Sequence, residues 1–144
     1  MTLRTIALLL AFTPSALAAP VPKELKKPSD AERMQGAWVY DSYDDSGERI
    51  ARSRRWVFTG GCMQDQTADG KGGMYYSVAL RPNKSAAEMD MTFSEVFLGG
   101  LYIYRFEGEE LYVAVCPGAA RPTDFSSSPG KSVYVLKRIP EAKK

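Results

Sequence analysis

Short runs of hydrophobic and β-branched residues alternate along the chain with turns rich in Gly, Asp, Asn and Ser. Several runs show the two-residue alternation of a half-buried strand, as where Met89, Met91 and Phe93 are separated by polar residues. The pattern predicts strands at residues 37–42, 48–58, 62–67, 74–80, 88–93, 101–106, 111–116 and 133–138.

These predicted strands follow one another too closely for helices to lie between them, so neighbouring strands are expected to pair antiparallel. Eight strands in this order can close into a barrel that has no exposed edge. A sandwich is the structural alternative, but the consecutive short hairpins favour the barrel. Ser29 and Glu32 match a capping box and Gly36 can end the helix that follows. The predicted fold class is therefore an all-β, eight-stranded antiparallel up-and-down barrel with a short N-terminal helix.

The N-terminus has the features of a signal peptide. Arg4 precedes an apolar run at residues 6–12, and Ala16 and Ala18 form a small-residue cleavage site. The run is shorter than the about 20 residues that a membrane-spanning helix needs. We therefore expect cleavage after Ala18 and export to the periplasm or the extracellular space. The predicted organisation is a signal peptide at 1–18, a flexible leader at 19–28, a barrel domain at 29–140 and a basic tail at 141–144.

Composition narrows the classes of function. The formal net charge of +2 among 144 residues gives no electrostatic basis for nucleic-acid binding. The chain has no histidine, which excludes Ser-His and Cys-His nucleophile pairs and histidine metal sites. Its two cysteines cannot supply the four ligands of a zinc site. We therefore predict a protein that is not an enzyme, with no catalytic residue, metal or cofactor.

Two short motifs indicate a family. Gly36 and Trp38 open the first predicted strand directly after the helix, and Arg138 closes the last strand. This arrangement is similar to the Gly-X-Trp signature of lipocalins, in which an arginine of the last strand packs on the tryptophan. Segments 34–38, 57–60, 104–108, 121–126 and 135–138 occur in an order that resembles a lipocalin-like domain family of exported planctomycete proteins of unknown function. The resemblance covers residues 30–139 and implies the barrel fold, but it implies no particular activity.

The strand directions predict two different ends of the barrel. The first strand starts and the last strand ends at one end, which we call the base, so Trp38 and Arg138 should meet there and the helix should close it. The opposite end, the mouth, carries the longer, glycine-rich connections. Cys62 falls near the base and Cys116 near the mouth, further apart than the about 7 Å that a disulfide allows between Cα atoms. Both cysteines are therefore expected to be unpaired.

The candidate ligand-binding residues are those that the alternation turns inward, together with a long connection at the mouth. Arg54 shares the inward side with Trp56 if the register is unbroken, whereas a bulge would expose it to water. In the connection at residues 117–130, Phe125 covers the opening or forms a structural plug, and Arg121 pairs with Asp124 or with a ligand. The full candidate set is Tyr40, Arg54, Trp56, Tyr76, Met91, Tyr104, Arg121 and Phe125.

Two functions are compatible with this pattern. The first is non-enzymatic binding of a small apolar or anionic amphiphilic ligand in the barrel, with Arg54 or Arg121 holding its negative charge. The alternative is a structural or protein-interaction domain with a filled interior, for example an inhibitor-type barrel. The volume of the cavity distinguishes the two: a pocket beneath the mouth favours the first, and a filled barrel with no pocket there would contradict it.

Overall fold

A computed structural model of the chain describes residues 26–43, 49–94, 97–118 and 120–140, and within these the side chains of 40–43, 49–53, 94 and 97–98 lie outside the description. The proposed signal peptide, most of the leader and the C-terminal tail also lie outside it. The elements are α1 (Asp30–Met34), β1 (Gly36–Tyr43), β2 (Arg49–Thr59), β3 (Cys62–Thr67), β4 (Met74–Arg81), β5 (Ala87–Ser94), β6 (Phe97–Glu107), β7 (Glu110–Val115) and β8 (Ser132–Arg138).

The strands form one closed barrel in chain order. Each strand pairs antiparallel with the next, and β8 pairs with β1 to complete the circle. The predicted fold class is therefore confirmed. The largest error in the predicted bounds is at β6, which begins at Phe97 rather than at residue 101. Gly99 and Gly100 carry no side chain that could extend the alternating pattern, so no strand is predicted at that point.

Side chains alternate between the inside and the outside of the barrel as the predicted period requires. Aromatic, Met and aliphatic side chains fill the interior, and Met89, Leu111 and Leu136 are fully buried within it. The buried members of this core are Met34, Trp38, Trp56, Phe58, Met63, Met89, Met91, Tyr104, Leu111, Val113 and Leu136. The base and middle of the barrel are therefore packed with side chains.

The helix α1 closes the base. Its capping box is present as predicted, with the Ser29 amide donating to the Glu32 carboxylate at 2.6 Å and the Glu32 amide donating to Ser29 Oγ at 3.3 Å. Met34 is 1% exposed and belongs to the barrel core. The Tyr104 hydroxyl, at the end of the core, donates to Asp30 of the helix at 3.0 Å. These contacts tie the helix to the inside of the barrel.

Trp38 and Arg138 meet at the base, as the strand directions predicted. The Arg138 guanidinium lies 4.4 Å from the centre of the Trp38 ring and donates to the main-chain carbonyls of Gln35, at 2.5 Å, and of Arg33. Trp38 Nε1 donates to the Met34 carbonyl at 2.8 Å. Gly36 has a φ of 101°, and a Cβ there would lie 3.1 Å from Arg138 Nη1, so glycine is required at this crossing.

The two cysteines are free thiols, as the strand geometry predicted. Cys62 begins β3 at the base, opposite Thr59 of β2. Cys116 directly follows the last residue of β7, at the mouth. The length of a strand therefore separates them.

Candidate functional site

Three aromatic side chains pack together on the inner face near the mouth. The Trp56 ring lies 5.8 Å from that of Tyr134 and 6.3 Å from that of Tyr102, measured between ring centres. Trp56 is only 5% exposed, while both tyrosines are partly exposed. Tyr102 and Tyr134 therefore present an aromatic surface to the mouth, and Trp56 is buried beneath them.

Two further apolar side chains are exposed at the mouth ends of β4 and β5, where they form a rim. Met74 starts β4 on the same side of the strand as the inward-facing Tyr76, and Phe93 lies near the end of β5, at an irregularity in the β5–β6 pairing. Each is 49% exposed. Phe93 packs against the partly buried Tyr76, with ring centres 5.8 Å apart. Apolar side chains with this much exposure leave surface available to a ligand at the mouth.

An ion pair lies on the same inner face. Arg54 donates to both carboxylate oxygens of Asp65, from Nε at 2.9 Å and from Nη2 at 2.7 Å. The β1–β2 pairing is irregular at residues 52–54, as the predicted bulge would require, but the β2–β3 register is unbroken from Arg54 to Thr59 and sets Asp65 opposite Trp56. Arg54 therefore lies on the inward side with Trp56. The arginine whose orientation the sequence left open is partnered by a carboxylate of the neighbouring strand.

Tyr76 lies between this ion pair and the apolar rim. Partial burial raises the pKa of its hydroxyl, the nearby Asp65 carboxylate raises it further, and Arg54 opposes both effects. The hydroxyl is therefore protonated at neutral pH. Its ring lies against Gly99 of β6, where a Cβ would be 2.7 Å from two ring carbons. The missing side chain at Gly99 creates the space that the Tyr76 ring fills.

Replacing Gly99 by alanine is expected to displace the Tyr76 ring and lower the free energy of unfolding by about 1–3 kcal/mol, because overpacking a filled site forces side chains from their preferred positions. Urea unfolding measures the change. The double variant Gly99→Ala/Tyr76→Ala should be less destabilised than the sum of its single changes. Gly61→Ala is the control, since its nearest neighbour would be an ordinary contact at 3.9 Å. Equal effects at Gly61 and Gly99 would contradict this account of Tyr76.

The described part of the connection between β7 and β8 places Arg121 and Phe125 on the outer wall, so the predicted positions of these two residues are wrong. Arg121 lies on the outer wall, where it pairs with Asp90 and donates to the Tyr102 carbonyl at 2.6 Å. Phe125 packs on an outer-wall cluster of Ile103, Ala114 and Val133. Because the outer wall offers a carboxylate, main-chain carbonyl oxygens and an apolar patch, the connection folds back along it. Neither Arg121 nor Phe125 therefore covers the mouth or plugs the barrel.

Two other candidates are buried deep in the core. Met91 and Tyr104 are each 1% exposed. Burial raises the pKa of Tyr104, and its hydrogen bond to Asp30 raises the pKa further. Neither side chain offers surface to a ligand, so their role in this structure is packing. The side chain of Tyr40 lies outside the described residues.

The site also contains residues that the sequence analysis did not select. These are Asp65, Met74, Phe93, Tyr102 and Tyr134. Tyr102 is two residues before Tyr104, so the alternation of side chains along β6 places both on the inward side. The alternation therefore identifies Tyr102 as a candidate as well. Asp65 becomes evident only when Trp56 is aligned with its partner on β3.

The outer wall carries a second concave surface, a groove of about 350 Å³ between the β7–β8 connection and the strands beneath it. Phe125, Tyr112 and Val133 line it together with Arg105. The Arg105 guanidinium lies 4.4 Å from the centre of the Phe125 ring and 5.0 Å from that of Tyr112. The groove is open and mixed in polarity.

No protein-family model matches the sequence, and neither a curated protein nor a solved structure shows significant similarity to it. The resemblance to the lipocalin-like family therefore stays a prediction. Within the described ranges, no helix is long and apolar enough to cross a membrane. The same part of the chain holds no cluster of three or more Cys, Asp or Glu side chains that could bind a metal ion. The fold defines the class as a closed eight-stranded up-and-down barrel.

Proposed function

We propose that the protein is an exported, non-enzymatic, lipocalin-like binding protein that holds a small apolar or amphiphilic ligand at the mouth of its barrel. The observation that supports this most directly is the exposure of Met74 and Phe93 beside the inward-facing Tyr76, at the mouth ends of their strands. Soluble domains usually bury such apolar side chains, and a ligand would complete that burial. Export rests on the signal peptide that the sequence predicts.

The ligand of this proposal lies shallow. Met63 and Met91 are 1% exposed and Met89 is fully buried, so the space below Trp56 is occupied by side chains. A bound molecule would rest on Tyr102 and Tyr134 and contact the rim, rather than enter a deep cavity. Flat molecules suit such a surface, because aromatic rings stack with offset faces or with an edge against a face.

A structural or protein-interaction role is the second candidate. The packed interior favours it, because a filled barrel can act only through its surface. The groove on the outer wall provides a concave surface for such contacts. The two roles make different predictions about where a small apolar molecule binds.

Titration with N-phenyl-1-naphthylamine, an uncharged dye that fluoresces strongly only in apolar surroundings, tests the proposal. We expect saturable binding to the intact protein and about tenfold weaker binding to Tyr134→Ala, because stacking and burial against one ring contribute about 1.4 kcal/mol. Tyr112→Ala is the matched control, since Tyr112 lies on the neighbouring strand but lines the outer groove. That variant should bind within about twofold of the intact protein, a difference well below 1.4 kcal/mol.

Absence of saturable binding to the intact protein would contradict the proposal. Loss of binding in Tyr112→Ala but not in Tyr134→Ala would move the site to the outer groove and favour the second candidate. Urea unfolding of both variants checks that each retains the fold.

A further inference from the structure

We propose that the mouth selects uncharged ligands over anionic ones, because the arginine that faces it is already neutralised by Asp65. This inference rests on the proposed function and specifies its ligand class. The ligand would be a flat, uncharged molecule that carries a hydrogen-bond donor, such as a hydroxyl or an N–H group. The sequence alone suggested the opposite, with Arg54 as a site for an anionic head group.

The geometry of the ion pair carries the first step. Arg54 makes two hydrogen bonds to Asp65, one to each oxygen, which is the strongest arrangement an arginine and a carboxylate adopt. The Asp65 side chain is 17% exposed and that of Arg54 is 36% exposed. A ligand carboxylate or sulfonate that took the place of Asp65 would leave this carboxylate mostly buried without its partner, which is strongly unfavourable. One that bound beside the pair would gain little attraction, because the charge of Asp65 opposes that of Arg54 there.

The hydrogen bonds that the Asp65 carboxylate can still accept define the favoured ligand. A carboxylate accepts hydrogen bonds at about four lone-pair positions, and Arg54 occupies one on each oxygen of Asp65. Asp65 can therefore accept a further hydrogen bond from a ligand. The neighbouring Tyr76, whose hydroxyl is protonated, and the apolar rim supply neutral surface around it. Cationic ligands gain little there, since Arg54 already takes up the charge of Asp65.

A matched pair of dyes tests this selectivity. N-phenyl-1-naphthylamine is uncharged and has an N–H donor, and 8-anilino-1-naphthalenesulfonate has the same rings with a sulfonate added. We expect the intact protein to bind the uncharged dye about tenfold more tightly or better, since an interaction difference of about 1.4 kcal/mol corresponds to that factor.

Two variants should change the ratio of the two affinities in opposite directions. Asp65→Asn keeps the shape of the side chain but removes the negative charge beside Arg54, so binding of the sulfonate dye should tighten about tenfold. Arg54→Gln leaves the charge of Asp65 uncompensated, so binding of the sulfonate dye should weaken further. Asp90→Asn is the control, because it removes a carboxylate paired with arginines on the outer wall, and it should leave the ratio unchanged.

The outcomes separate this inference from the proposed function. If the intact protein binds the uncharged dye but Asp65→Asn and Arg54→Gln leave the ratio unchanged, the inference is overturned and the binding function stands. A similar change in Asp90→Asn would also overturn it, because net charge rather than the mouth would then decide selectivity. If neither dye binds the intact protein, the proposed function itself fails. Should Asp65→Asn fail to fold, the direction of the change in Arg54→Gln decides the inference.

Discussion

Replacing Trp38 by alanine is expected to lower the free energy of unfolding by about 3–5 kcal/mol, because the change leaves a large cavity at the base. Trp38 is 1% exposed, and its indole contributes three interactions besides burial. It donates to the Met34 carbonyl, packs against Phe106 with ring centres 6.3 Å apart, and lies beneath the Arg138 guanidinium. The variant therefore loosens the helix, the first strand and the last strand together.

Urea unfolding measures this effect, and the adjacent residue supplies the control. Val39 is on the same strand but is 42% exposed, so Val39→Ala should cost less than about 1 kcal/mol. Trp38→Phe keeps an aromatic ring and loses the N–H group, so its effect should lie between the two. If Trp38→Ala and Val39→Ala destabilise the protein equally, the base does not depend on the contacts described.

The second large effect is expected at Arg121, whose replacement by alanine should lower the free energy of unfolding by about 2–4 kcal/mol. Arg121 is 20% exposed at its side chain and holds Asp90 and the carbonyls of Tyr102 and Met89. Its loss leaves a partly buried carboxylate with only Arg81 as partner and releases the connection after β7 from the outer wall. The segment at residues 117–130 should then become sensitive to limited proteolysis.

The effect at Arg121 should depend on pH. Burial raises the pKa of Asp90, but hydrogen bonds from Arg121 and Arg81 outweigh burial and hold the pKa below its usual range. The contribution is therefore fully present above the ordinary carboxyl range and disappears as the pH falls through the lowered pKa. Lys71→Ala, which breaks an exposed pair with Asp69, should change stability by less than about 1 kcal/mol at any pH. An effect at Arg121 as small as that would show that the connection is held by other contacts.

The strands and their closure could be predicted because both depend on local pattern and on chain order. Alternation located each strand, and antiparallel order placed Trp38 at the same end as Arg138, in agreement with the contact that the lipocalin resemblance implies. The pattern failed at the start of β6, where Gly99 and Gly100 have no side chains to alternate. That start matters for the site, because the Tyr76 ring occupies the space at Gly99.

The site was predicted less completely because it depends on which residues meet across strands. Because side chains alternate along a strand, Arg54 and Trp56 could be placed on the same side of β2. The partner of Arg54 lies on β3, however, and identifying it requires knowing which residues of the two strands are paired. The position of Arg121 depends on Asp90, which precedes it by 31 residues in the chain. No local pattern indicates on which side of a barrel wall a long connection lies.

Native mass spectrometry of the protein, purified from the cells that make it, tests the binding function most directly. We predict a species heavier than the bare chain by one small uncharged molecule. The same species should be lost in Tyr134→Ala and retained in Tyr112→Ala, since these tyrosines lie on opposite faces of adjacent strands. A bare chain in every preparation, or a bound molecule that survives Tyr134→Ala, would contradict a ligand site at the mouth.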